Sequence, residues 1–200
     1  MSLKDDIQKE MLVALRHSLS TGSFTNLMTL LINHSNVDRK YIVRTLFISF
    51  LRFTGIPLRV LEKIKFGKKN ENVQIKHPPI FIIGHWRSGT TYLHNLMTQD
   101  PNFGYVTHSQ AWAPEMFLLS QKLLKNKLNK IGLTKRPMDN VLIASDSPEE
   151  EEWALANTSL YSIYHAAFFP KKSKTIALDS EEIENSWSTA YISILKKGNF

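Results

Sequence analysis

Apolar side chains recur every three or four residues along the first third of the chain, which is the spacing of a helix with one buried face. A first predicted helix carries Ile7, Met11 and Leu15 on that face. A second, shorter apolar patch holds Leu27 and Leu30. The pattern therefore predicts a helix-rich N-terminal part.

Residues 37–66 are apolar and basic together. Leu46, Phe50 and Phe53 fall on one face of a predicted helix, and Pro57 interrupts it. Arginines and this proline break the segment well short of the roughly 18 apolar residues that a membrane-spanning helix needs. Packing against the rest of the protein is the more common fate of such a helix. The alternative is a basic amphipathic helix that lies on a membrane surface.

Five lysines between Lys63 and Lys76 predict a solvated linker. Its one aromatic residue is Phe66 and no RNA-binding motif accompanies it, so we expect no nucleic acid partner. This linker divides the chain into a helical extension, residues 1–77, and a second unit, residues 78–200.

Residues 78–97 read as strand, turn and helix. After two prolines, Ile80–Ile83 is an apolar, β-branched run that predicts a strand buried on both faces. Gly84–Gly89 is a turn with glycine at each end, and Thr90–Met97 has a helical pattern. The first turn of a helix carries unpaired N–H groups and partial positive charge, and glycine lets the backbone approach an anion closely. The segment therefore predicts a cradle for phosphate or sulfate.

The spacing of this loop matches the nucleotide-binding P-loop, G-x-x-x-x-G-K-[ST], at Gly84, Gly89 and Thr91. Thr90 stands where the P-loop has the lysine that binds the β- and γ-phosphates, and Arg87 places its cation inside the loop. A degenerate P-loop kinase or NTPase is therefore an alternative interpretation. The expected anion-binding residues are Arg87, Ser88, Gly89, Thr90 and Thr91.

Arg87–Thr91, directly after an apolar strand, resembles the 5′-phosphosulfate-binding loop of the sulfotransferases. Tyrosylprotein and many bacterial sulfotransferases also carry arginine here, whereas cytosolic sulfotransferases carry lysine. Residues 136–140 and 147–152 are similar to the bacterial branch, and the resemblance covers about residues 78–170. It implies that 3′-phosphoadenosine 5′-phosphosulfate is the donor and that Arg87 helps transfer its sulfuryl group to an acceptor hydroxyl or amine.

The expected fold class is α/β: a P-loop-like three-layer fold with a parallel sheet, behind the helix-rich extension. Tyr105–Thr107 predicts a second parallel strand. In sulfotransferases further strands follow, with an arginine and a serine that hold the donor's 3′-phosphate. Neither motif is visible here, so we expect residues 78–200 to form the N-terminal part of such a domain, incomplete at the C-terminus. Whether the 200 residues are active alone stays open.

His108 follows the second predicted strand, at the edge of the sheet where ligands bind. Free histidine titrates at about pH 6.5, so it can accept a proton near neutral pH. By the resemblance to tyrosylprotein sulfotransferases, His108 lies where that family has its glutamate base. A histidine that only hydrogen-bonds at a strand end is the alternative, and Glu115, Glu149 and Glu152 are other candidate bases.

Two helix starts are predicted after His108. Glu115 is expected in the first turn of a helix that runs to about residue 130. Ser147 is expected to cap a further helix, with Glu150 completing a capping box.

Composition limits the remaining interpretations. The chain has no cysteine, which excludes disulfides, thiolate metal sites and cysteine nucleophiles. The glutamates at 149–152 have no aspartate or histidine at ligand spacing, so we expect no metal. A net charge of +7 suits an anionic donor or an anionic membrane surface. A non-enzymatic membrane-associated protein that uses residues 37–66 is therefore a further alternative.

Partners and location are the least determined. The acceptor is expected to be a small molecule or a lipid, and the oligomeric state stays open. Residues 1–6 include acidic residues where a signal peptide has basic ones, and no apolar run follows. We expect a cytoplasmic protein, with peripheral membrane contact through residues 37–66 as an option.

Overall fold

The computed structural model describes residues 3–17, 19–34, 37–131, 144–169 and 181–198. Within these ranges the chain is mainly helical, and a short 3-10 helix, Arg39–Tyr41, precedes the third α-helix. The α-helices of the described ranges are α1 (Leu3–Arg16), α2 (Phe24–His34), α3 (Ile42–Thr54), α4 (Ile56–Asn72), α5 (Thr90–Met97), α6 (His108–Trp112), α7 (Phe117–Ile131), α8 (Glu151–Thr158), α9 (Ile163–Phe168) and α10 (Glu181–Gly198).

The first three helices pack together around their own small core. Ala14, Leu27 and Ile48 are buried there, one from each of α1, α2 and α3. The helix predicted from Ile7, Met11 and Leu15 is therefore confirmed, and the apolar patch at Leu27 and Leu30 lies in α2.

The break predicted at Pro57 is confirmed, whereas the predicted linker after it is wrong. Pro57 lies in the first turn of α4, where its missing N–H costs nothing, and α4 continues through the lysines at 63–69 to Asn72. Lysine is a good helix former. The end of α4 is also held by α10, because the buried amide of Asn70 donates to Ser193 Oγ at 3.2 Å.

A fully buried arginine joins α3 to α8. Arg52 donates to the carbonyl oxygens of Leu19 at 2.6 Å and Ser23 at 2.7 Å, and to Asn157 Oδ1 at 3.4 Å. Burial and the nearby Arg59 lower the pKa of Arg52 to about 9, so the guanidinium is charged at neutral pH. Three acceptors satisfy that charge in the interior.

Two ion pairs connect α4 to later parts of the chain. Arg59 Nε lies 3.4 Å from Glu115 Oε2, and Lys197 Nζ lies 2.7 Å from the buried Glu62 Oε1. The other oxygen of Glu62 accepts from the Leu119 N–H at 3.1 Å. Glu115 therefore lies before α7, which begins at Phe117. The prediction that placed Glu115 in the first turn of this helix is wrong, and the ion pair with Arg59 explains its position.

A second core lies between α6, α8 and α10. Val106 and Leu155 are buried in it, and Tyr191 packs against it from α10. The ring of Phe81 stacks on Tyr191 with a centroid distance of 6.1 Å. The segment before the glycine-bounded loop therefore rests on α10.

Residues 80–83 are not a buried strand in this structure. They follow an irregular path, and Ile83 is 92% exposed. At Tyr105–Thr107, Thr107 forms one isolated antiparallel bridge with Pro148. A strand is buried on both faces only when neighbouring strands and helices cover it, and the described residues form no such sheet. The α/β fold with a parallel sheet accordingly stays a prediction.

Candidate functional site

The loop from Gly84 to Gly89 turns tightly at the surface. The Ser88 N–H donates to the His85 carbonyl at 3.1 Å, which closes a turn. Arg87 has φ of 65° and Gly89 has φ of 95°. A positive φ is unusual for a residue with a side chain, and such strain concentrates at ligand-binding sites. The loop therefore holds the arginine in a conformation that an ordinary connector does not need.

The two glycines of the loop are required for different reasons. A Cβ on Gly84 would lie 2.7 Å from both Ser88 Oγ and Thr90 Cγ2, so the backbone approaches these side chains closely. A Cβ on Gly89 would meet nothing within 4 Å, but its positive φ disfavours any side chain. Gly84 leaves space for the side chains of Ser88 and Thr90, and Gly89 allows the left-handed backbone before α5.

Helix α5 begins directly after this bend, as predicted. Gly89 is its N-cap residue, and the Leu93 N–H donates to the Gly89 carbonyl at 3.0 Å. The loop is open to solvent, with Trp86 85% exposed. A helix N-terminus behind an exposed glycine-bounded turn is a site to which an anion has access.

His108 lies at the start of α6, whose N-terminus is fixed by a capping box. Thr107 Oγ1 accepts from the Gln110 N–H at 3.3 Å, and Gln110 Oε1 accepts from the Thr107 N–H at 2.8 Å. The pattern T-x-x-Q at 107–110 is the sequence signature of this motif, and it could have located the helix from sequence.

Two short antiparallel segments bring His108 to Glu149. The His108 N–H donates to the Ser147 carbonyl at 2.9 Å, and the Glu149 N–H donates to the Val106 carbonyl at 2.9 Å. In consequence His108 Nδ1 lies 2.6 Å from Glu149 Oε2. Both side chains are mostly covered, with exposures of 19% and 16%.

This hydrogen bond assigns the roles of the two imidazole nitrogens. A carboxylate only accepts, so His108 donates through its Nδ1–H to Glu149. The neutral ring then carries its lone pair on Nε2, where it is able to take up a proton. The carboxylate also stabilises the imidazolium that forms. The pair has the chemistry of a general base with its orienting acid.

The other candidate carboxylates have structural partners. Glu152 Oε1 accepts from Ser162 Oγ at 2.7 Å and from the Ile163 N–H at 2.8 Å, at the start of α9. Burial raises the pKa of Glu152, and the hydrogen bond from Ser162 opposes that shift. Glu150 accepts from the hydroxyl of Tyr164. These contacts fix α9 against α8.

The helix start predicted at Ser147 is wrong. Helix α8 begins at Glu151 with Glu150 as N-cap residue, and no capping box forms. Ser147 Oγ instead accepts from the Ala144 N–H at 2.9 Å. Residues 147–149 are extended because their backbone pairs with residues 106–108, so they are not available to a helix.

The predicted site residues fall into three groups in the structure. Arg87, Ser88 and Gly89 directly precede α5, and Thr90 and Thr91 are its first two residues. His108 belongs with Glu149, while Glu115 lies with Arg59. Residues 136–140 lie outside the described residues. In the described part of the chain, no cluster of three His, Asp or Glu side chains is arranged to hold a metal ion.

Comparison with known proteins places these residues in context. Residues 78–196 match the sulfotransferase family. The omega-hydroxy-beta-dihydromenaquinone-9 sulfotransferases Stf3 of Mycobacterium bovis and of Mycobacterium tuberculosis are each 34% identical to the chain over 124 residues. These alignments cover 62% of this chain and 32% of each relative, so the chain spans about a third of their length. No solved structure matches the chain.

Proposed function

Because the chain belongs to the sulfotransferase family, we propose that the protein moves a sulfuryl group from 3′-phosphoadenosine 5′-phosphosulfate to an acceptor hydroxyl or amine. The observation that carries the proposal is the loop at residues 84–89, which leads into α5 and holds Arg87 in a left-handed conformation. A sulfotransferase needs an anion cradle of this kind for its donor. The α/β fold with a parallel sheet is part of the same proposal.

The loop binds the donor's 5′-phosphosulfate. Backbone N–H groups at the start of α5 and the hydroxyls of Ser88, Thr90 and Thr91 donate to its oxygens, and Arg87 adds a positive charge. These donors stabilise the negative charge that develops on the bridging phosphate oxygen as the sulfur–oxygen bond breaks. Binding and leaving-group stabilisation therefore come from the same loop.

His108 and Glu149 serve the acceptor. The acceptor oxygen or nitrogen forms a bond to the sulfur, and 3′-phosphoadenosine 5′-phosphate leaves with the bridging oxygen. The acceptor's proton goes to His108 Nε2, since Nδ1 is occupied by Glu149 at 2.6 Å. In this scheme His108 is the base and Glu149 is its positioning residue.

The acceptor class follows from the relatives. Their names describe sulfation of an omega-hydroxy menaquinone derivative. We extend to this protein the coarser class of a lipid that ends in a hydroxyl group. A direct comparison tests it: transfer to a long-chain ω-hydroxy lipid should exceed transfer to a short, water-soluble primary alcohol of similar hydroxyl acidity.

Donor binding is tested by calorimetric titration of the chain with 3′-phosphoadenosine 5′-phosphate, with ATP plus Mg²⁺ as control. Binding of the adenosine bisphosphate that is lost in Arg87→Ala supports the proposal. The exposed arginine Arg39, outside the loop, provides the matched control Arg39→Ala, which should bind normally. Preference for ATP with Mg²⁺ would favour a nucleotide kinase or NTPase.

A further inference from the structure

One face of α3 and α4 is apolar and turned toward solvent. At 3.6 residues per turn the members on each helix fall within about 100° of one another around the axis of that helix. We call this set the apolar stripe. Its main members, with their exposed fractions, are Leu46 (65%), Phe50 (59%), Phe53 (56%), Val60 (50%), Leu61 (57%) and Ile64 (74%).

The opposite face of the two helices is held by the protein. Ile48, Arg52 and Glu62 are buried there, and Asn70 is buried at the end of α4. Arg52 and Glu62 have hydrogen-bond partners on other helices or loops. These contacts prevent α3 and α4 from rotating to bury the apolar stripe, which therefore remains exposed to solvent.

Most exposed charges beside the apolar stripe are basic, and the exposed acidic residues Asp38 and Glu71 lie at its two ends. Between residues 39 and 70 the exposed charged side chains are all basic. The one acidic residue of this segment, Glu62, is 1% exposed and lies 2.7 Å from Lys197 Nζ. The exposed basic residues are Arg39, Lys40, Lys63, Lys65, Lys68 and Lys69.

We propose that the apolar stripe is a docking surface for an anionic lipid membrane. Leucine, isoleucine and phenylalanine side chains on one helix face enter the boundary between headgroups and acyl chains, and flanking lysines attract the negative headgroups. An apolar face whose neighbouring exposed charges are mainly basic is complementary to such a surface in both respects. The proposal stands apart from sulfuryl transfer and does not depend on it.

The helices lie on the membrane and do not cross it. Contrary to the expectation from the sequence, residues Arg39–Asn72 are long and apolar enough, by length and composition alone, to span a bilayer. A crossing would separate Arg52 and Glu62 from their buried partners and expose both charges to hydrocarbon, at high cost. An orientation parallel to the surface keeps those partners and buries only the apolar stripe.

The absence of cysteine allows each position to be probed singly. Leu46→Cys, Phe50→Cys and Ile64→Cys each carry an environment-sensitive NBD label on the apolar stripe. Leu123→Cys on α7, 73% exposed, is the matched control. With phosphatidylcholine vesicles containing phosphatidylglycerol, the three stripe labels should brighten and shift to the blue, while the label at position 123 stays unchanged.

Vesicle flotation of unlabelled protein separates the two components of binding. Phe50→Ser with Phe53→Ser should lower the bound fraction at least tenfold. Lys63→Gln, Lys65→Gln and Lys68→Gln together should remove the preference for anionic over neutral vesicles, as should high salt. Leu123→Ser and Lys122→Gln on α7 are the matched controls. Far-UV circular dichroism confirms that each variant is folded.

Two outcomes would overturn the proposal. In the first, the folded protein ignores anionic vesicles and the stripe labels do not respond. In the second, the stripe labels respond to protein concentration without lipid, and Phe50→Ser with Phe53→Ser converts a dimer to a monomer in sedimentation velocity. That result would assign the apolar stripe to a second copy of the chain.

Discussion

His108 Nδ1 lies 2.6 Å from Glu149 Oε2, although the two residues are 41 positions apart in the chain. The pairing of residues 106–109 with residues 145–149 produces this contact. Because the carboxylate accepts the Nδ1 proton, the histidine is held with Nε2 as its basic atom. The contact converts a lone histidine into an oriented pair.

Glu149→Gln in the whole protein tests this pair. The amide still bonds the ring but does not stabilise the imidazolium by charge, so kcat should fall about 10- to 100-fold, and His108→Ala about 10²- to 10⁴-fold. Steady-state kinetics measures both losses.

Glu151→Gln, two residues away at the start of α8, is the matched control and should leave kcat unchanged. Full activity of His108→Ala would disprove the assignment of the base. A purely structural role of Glu149 would lower the free energy of unfolding while the folded enzyme keeps its kcat.

The glycines of the loop give a second prediction. In Gly84→Ala the new methyl group forces Ser88 and Thr90 to move, because it would lie 2.7 Å from each side chain. Affinity for 3′-phosphoadenosine 5′-phosphate should therefore fall at least tenfold, as measured by calorimetry.

Gly89→Ala should behave differently from Gly84→Ala. Its methyl group enters open space, and the left-handed backbone costs about 1–2 kcal/mol of folding stability. Urea unfolding measures this cost. Equal loss of affinity and equal loss of stability in the two variants would contradict the distinction between them.

Arg52 supports a prediction about stability. Arg52→Ala removes a guanidinium that is 0% exposed and leaves the Leu19 and Ser23 carbonyls without their donor. The free energy of unfolding should fall by about 3–5 kcal/mol in urea titrations. The exposed Arg39→Ala should change it by less than about 0.5 kcal/mol. A loss below about 1 kcal/mol in Arg52→Ala would show that the buried contacts contribute little.

The buried His17 is expected to make the folded protein less stable in acid. Burial, together with Arg44 and Arg52, lowers the pKa of His17 to about 4 from an ordinary value near 6.5. The unfolded chain therefore binds a proton that the folded chain refuses between these two values. Stability is complete above pH 6.5 and falls by up to about 3 kcal/mol as the pH drops toward 4.

In the folded protein the Leu19 N–H donates to His17 Nδ1 at 3.2 Å. His17→Asn keeps an acceptor near this N–H, but the asparagine side chain does not titrate. Unfolding at pH 7 and pH 4.5 should show a smaller difference in this variant than in the parent. The same substitution at the exposed His77 should leave the difference unchanged. An unaltered difference in His17→Asn would contradict the prediction.

Local patterns in the sequence predict the local structure well. Apolar spacing predicts α1, and the glycines of residues 84–89 predict the turn before α5. These features depend on residues within one or two turns of each other. The linker predicted from the lysines after residue 63 is wrong, because the contact of Asn70 with α10 stabilises α4 there. Such a contact between distant residues leaves no trace in the local pattern.

Contacts between distant segments were not predictable. Arg52 looks like a surface residue in the apolar pattern, yet loop carbonyls and Asn157, 105 positions away, bury it. The role of Glu149 was open for the same reason, since its partner His108 reaches it only through backbone pairing of two segments. The sequence contains the residue types that these contacts need, but the tertiary fold determines which of them meet.

The exposure of Ile80–Ile83 bears on handling of the protein in solution. Phe81 is 59% exposed and Ile83 is 92% exposed, in an irregular segment whose composition favours β-structure. Short runs of this kind are templates for intermolecular cross-β pairing. Pro78 and Pro79 donate no backbone hydrogen bond and limit such pairing on one side only. The chain is therefore expected to aggregate through residues 80–83 at high concentration unless another strand covers them.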